Sequence, residues 1–153
     1  MRATLVLLLT LGLFATASAA DAVTGRVIKV LPLLLDLKGR TALAPSLFER
    51  DAYQAHLRAN TNEISAVRYD VQWTAKHAGE DKLKIQLELR GVTAGNVPKF
   101  KTLTADATTG FLDNWTSLTL DGDEYRSFVA VTAWRATLWD GDQMIGEQKS
   151  FLW

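Results

Sequence analysis

His56 and His77 are the only imidazoles in a chain of 153 residues without cysteine, so imidazole-based catalysis or a metal site would have to be built on them. A serine or threonine nucleophile needs a base within hydrogen-bond reach. Neither histidine is accompanied by a Gly-x-Ser-x-Gly elbow. His77 falls in a loop between two alternating segments, the place of a solvated turn residue. His56 falls in the apolar arc of a helical segment with Glu49 on the same face, and a half-buried imidazole bonded to a backbone carbonyl accounts for it without catalysis. A hydrolase built around His56 is the enzymatic alternative. Two distant histidines without a thiolate do not make a zinc set. Asp121, Asp123, Glu124, Asp140 and Asp142 lie in turns, but neither Asp-Gly-Asp stretch completes a calcium loop, and Asp-Gly is also what a tight turn requires. No catalytic residue, metal or cofactor is expected, and the chain reads as a non-enzyme.

The tryptophans carry the remaining chemistry. Trp73 and Trp134 sit on apolar strand faces and are expected in the core. Trp115, Trp139 and Trp153 fall near strand ends, where an exposed indole stacks on a sugar ring or anchors a protein partner. Trp115 and Trp139 are the candidate ligand-binding residues, and coplanar exposure of the two would mark a carbohydrate-binding module.

The first twenty residues give the expected destination. Arg2, an apolar run from Leu5 to Ala15 and the small-x-small stretch Ala17-Ser18-Ala19 have the layout of a secretory signal peptide. The run is shorter than the roughly 20 residues that cross a bilayer. Residues 1–20 are expected to be removed, with the mature chain starting at Ala20 or Asp21 and residues 21–153 forming one domain in the periplasm or outside the cell. No membrane span is expected after cleavage. Lysine plus arginine and aspartate plus glutamate both number 17, so there is no electrostatic footprint for nucleic acid. Without cysteine, apolar packing alone must hold the fold.

These residues need a β framework. Val67, Tyr69, Val71 and Trp73 alternate with polar neighbours, as do Leu83, Ile85, Leu87 and Leu89, and each set predicts a strand with one buried face. The loop containing Gly79 predicts that the two pair as an antiparallel hairpin. Residues 25–38 read as a first strand, placed at an edge or broken by Pro32, that shifts from one sheet to the other. Ser46 to Ala59 is the one long helix, with a Ser46/Glu49 capping box, an apolar arc of Phe48, Ala52, Tyr53, Ala55, Leu57 and Ala59, and Asn60 ending it in the left-handed conformation. Phe100–Ala105 and Trp115–Leu120 read as further strands, the second with Trp115, Leu118 and Leu120 as its apolar contacts. Asp123 is expected to cap a helical turn through Phe128. Val129–Trp139 reads as a long strand, and Asp140-Gly141 turns it into a last strand from Gln143 to Trp153. A two-residue loop would put Trp134, Leu138, Ile145 and Phe151 on one face. A three-residue loop with a bulge would pair Leu138 with Met144 and set Arg135 opposite Glu147.

About seven strands at hairpin-like spacing with one inserted helix predict a mainly β fold, an antiparallel two-sheet sandwich that resembles the immunoglobulin and fibronectin-III architecture. Thr132–Asp142, Glu147–Trp153 and Ser46–Tyr53 are similar to segments of small, uncharacterised secreted bacterial proteins, a resemblance that implies no activity. The expected function is that of an exported non-enzymatic protein that binds a protein or glycan partner or joins an assembly. A small outer-membrane barrel is an alternative suggested by the terminal Phe151-Leu152-Trp153, and opposed by the helix, by charged Glu147 and Lys149 and by an odd strand count.

Overall fold

The computed structural model describes residues 23–76, 83–110 and 114–153. The expected signal peptide, His77 and the Gly79 turn lie outside the described residues. Among the described residues, seven strands form two antiparallel sheets: β1 (Thr24–Asp36), β2 (Ile64–Lys76) and β5 (Asn114–Leu120) in the order β1-β2-β5, and β3 (Leu83–Val92), β4 (Pro98–Asp106), β6 (Ala130–Asp140) and β7 (Gln143–Lys149) in the order β4-β3-β6-β7. Helix α1 (Leu47–Ala59) follows β1, and a short helix α2 (Gly122–Ser127) precedes β6. The described strands form two separate sheets rather than one closed cylinder.

The pleat assigns the faces. Val67, Tyr69, Val71 and Trp73 of β2 are buried against Leu83, Ile85, Leu87 and Leu89 of β3, joined by Leu118, Leu120, Ala136 and Leu138. Trp73 is fully buried, and its indole N–H donates to Thr116 Oγ1 at 3.0 Å, which satisfies both polar groups inside the core. Trp134 packs against this core while remaining partly exposed.

The expected β2–β3 hairpin does not form. The two strands lie in different sheets, so the chain crosses from one layer to the other between them. Alternation fixes only which face of a strand is buried, and the opposing sheet buries that face whichever strands are hydrogen-bonded at its edges. β1 is an edge strand, bulged between Val27 and Lys29, with Pro32 opposite Tyr69. It pairs with β2 and not with the second sheet, although Arg26 packs backbone to backbone against Gly146 of β7. The last hairpin combines features of both expected registers. Asp140 pairs with Gln143 across a two-residue loop, and a bulge then sets Leu138 opposite Gly146. Arg135 still reaches Glu147, at 2.7 Å, although its strand partner is Lys149. β7 ends at Lys149, and Phe151 is fully exposed rather than on the apolar face.

Candidate functional site

The mouth of the sandwich is set by how α1 is held. Ser46 caps the helix by accepting from Glu49 N–H at 3.2 Å, which is the serine half of the expected capping box. The expected arc is largely solvent-facing: Phe48 is 80 % exposed, and only Gln54 and Leu57 are buried. Gln54 takes the place of a neighbouring strand. Its Oε1 accepts from Leu34 N–H at 2.8 Å, and its Nε2 donates to the carbonyls of Leu34 and Thr41, each at 2.9 Å. A free edge of β1 is thereby closed by a side-chain amide. Leu33 and Leu35 are in register with Arg68 and Ala66 on the outer face of the three-stranded sheet, yet both are buried, as is Leu57. The helix therefore covers this end of the outer face. Asn60 ends it at φ −125°, outside the left-handed region, by donating from its backbone and side chain to the His56 carbonyl.

Asp36 fixes the turn that leads to the helix. Its carboxylate is buried and accepts from the backbone N–H groups of Lys38 and Arg40, from the Arg40 guanidinium and from the Tyr53 hydroxyl, all at 2.8 Å. Burial alone would raise its pKa, but this set of donors outweighs burial and holds the group well below the usual carboxylate range.

Beyond α1, an open cleft of about 350 Å³ enters between the sheets. One wall is Pro32, Leu34, Ile64, Val67 and Tyr69 of the three-stranded sheet. The other is Tyr125 and Phe128, at and just after α2, with Val129, Ala130 and Val131 leading into β6. Arg58 and Thr61 complete the lining from the end of α1 and the turn after it. α2 is held in place by Lys99 of β4, which donates to Ser127 Oγ, lies 3.6 Å from Glu124 and stands over the Phe128 ring. The N-cap of α2 is Asp121 rather than the expected Asp123. Burial, reinforced by Tyr125, pushes the Tyr69 hydroxyl up to about 12, and burial also raises Tyr125. Both phenols therefore remain neutral at physiological pH. A concave, mainly apolar surface with a few polar groups is the usual form of a small-molecule site.

The sequence candidates lie elsewhere. Trp115 is not one of the inward contacts of its strand: Thr116, Leu118 and Leu120 are buried, while Trp115 is 42 % exposed on the outer face of the three-stranded sheet. Trp139 follows the buried Leu138, so it stands half-buried on the outer face of the four-stranded sheet, its N–H donating to Thr137 Oγ1 at 2.8 Å. The two rings thus occupy opposite sides of the sandwich, and one flat ligand cannot stack on both. Trp153 lies beneath the Arg90 guanidinium at 3.7 Å.

His56 is exposed rather than half-buried. Its ring stacks on Tyr53 and its Nε2 lies 2.9 Å from Glu63 Oε2, so its acidic partner is Glu63 and not Glu49. Among the described residues no three His, Asp or Glu side chains are grouped so as to hold a metal ion. Sequence reasoning passed over Tyr69, Tyr125 and Arg58. The available signal was Tyr69, the one hydroxyl on the apolar face of the alternating segment 67–73. No family model, curated protein or solved structure matches this chain.

Proposed function

We propose that this chain is an exported β-sandwich that works by binding rather than catalysis, and that the cleft at the mouth of the sandwich is where it binds. The observation that carries this reading is the cleft itself, an open apolar cavity of about 350 Å³ whose walls come from both layers. Export rests on the secretory layout of residues 1–20. The strand order β1-β2-β5 and β4-β3-β6-β7 supports the immunoglobulin-like topology, with the chain crossing between layers from β2 to β3, from β4 to β5 and from β5 to β6.

Titration of the purified protein with N-phenyl-1-naphthylamine, an uncharged dye that fluoresces in apolar surroundings, tests the reading. Saturable one-to-one binding is expected, and Ala130→Trp, which fills the cleft from an exposed position, abolishes it. Absence of saturable binding, or binding unaffected by Ala130→Trp, refutes it. N-terminal sequencing tests the other half, with Ala20 or Asp21 expected first in the exported protein and an intact Met1 in the membrane fraction refuting a cleaved signal peptide.

A glycan-binding face is the second reading, now resting on Trp115 alone. Its exposed ring shares the outer face with Ser117, which donates to Asp70 at 2.7 Å, and with Arg68, which donates to the same carboxylate at 2.8 Å. Oligosaccharide binding lost in Trp115→Ala with cleft binding intact would establish it.

A further inference from the structure

We propose that the cleft takes a small monoanionic amphiphile, a single-chain carboxylate whose head meets Arg58 and whose body lies between Leu34, Val67 and Phe128. This rests on the cleft being a binding site and goes further by assigning the charge and size of the ligand. The charge follows from the lining. Among the described residues that line it, Arg58 is the only charged one, and none is an aspartate or glutamate. Arg58 forms no ion pair among the described residues, and it lies next to the end of α1, on an exposed part of the rim. A guanidinium there offers paired donors that match a carboxylate. Deeper in, the walls are aliphatic and aromatic, with neutral tyrosine hydroxyls as the polar groups.

Size follows from the volume. At about 30 Å³ per water-sized group, the open cleft of about 350 Å³ encloses roughly a dozen non-hydrogen atoms of a ligand, and the remainder of a larger one projects into solvent. Decanoate has this number and distribution of atoms, with one charge at the end. A cationic head of the same length would repel the guanidinium, and a hydroxyl head could accept its hydrogen bond but would bring no opposite charge.

Competition against bound N-phenyl-1-naphthylamine separates these ligands. Decanoate is expected to displace the dye at about one-third the concentration of decanol, as a solvent-exposed ion pair predicts, and decylamine is expected to be the weakest of the three. Arg58→Gln should abolish the preference for decanoate over decanol, each measured against the variant's own dye affinity, and Arg58→Lys should retain part of the preference. Equal displacement by acid and alcohol in the wild type, stronger displacement by the amine, or a preference that survives Arg58→Gln overturns the assignment of an anionic ligand. Each of those results leaves the cleft standing as an apolar site, whereas failure of the dye to bind removes the site itself.

Discussion

Asp36→Ala tests how the mouth of the sandwich is held. Oδ1 of Asp36 accepts two backbone N–H groups, and Oδ2 faces the Arg40 guanidinium and the Tyr53 hydroxyl. Hydrogen bonds to a charged group contribute about 1.5–3 kcal/mol each when their loss leaves a partner unpaired. They do not add here, because the Arg40 side chain is 46 % exposed and finds water once released. The two backbone amides and the tyrosine hydroxyl dominate, and Asp36→Ala is expected to destabilise the fold by about 2–4 kcal/mol. Urea denaturation at pH 7 should show this as a lower midpoint at unchanged slope. The pH dependence has a fixed sign. Because the folded-state pKa is depressed, the contribution of ionised Asp36 is fully present above the unfolded value near 3.8 and is lost as pH falls toward the folded value. The gap between wild type and mutant should therefore be flat from about pH 7 to 5 and narrow below about pH 4. A loss under about 0.5 kcal/mol at pH 7, or a gap that is constant down to about pH 3, would refute the reasoning.

Leu87→Ala removes a fully buried side chain from the centre of β3 and is expected to destabilise by about 2–5 kcal/mol, whereas Glu88→Ala on the opposite face should change stability by about 0.5 kcal/mol or less. Equal effects in chemical denaturation would mean the faces are misassigned. Gly146→Ala places a methyl group 3.0 Å from Arg26 backbone atoms, which cannot rotate away, so a loss of about 1–3 kcal/mol is expected in thermal or urea unfolding. A neutral result would mean that β1 and β7 are not packed this closely. His56→Gln removes an exposed imidazole paired with Glu63 and should cost about 1 kcal/mol or less while leaving dye binding in the cleft unchanged. Loss of dye binding in that variant would place His56 in the site.

The amino-acid sequence by itself determined the local pattern. A strand sends successive side chains to opposite faces, so the alternation in β2 and β3 identified their buried residues whatever their partners were. Ser46 capped its helix and Asp140-Gly141 turned its hairpin because these features involve only groups a few residues apart. Tertiary structure decided which strands pair. β2 joins β1 and β5 while β3 joins β4 and β6, because alternation fixes only the buried face, whereas edge pairing is made by backbone groups common to nearly every residue. It also decided how α1 docks. Hydrophobic periodicity pointed to the arc containing Phe48, but the unpaired polar edge of β1 at Leu34 was closed by Gln54, so the helix turned its amide inward and left Phe48 in solvent. The cleft was invisible in the sequence for the same reason. Leu34, Arg58, Tyr69 and Phe128 lie far apart along the chain and come together only after the two sheets have packed and both helices have docked.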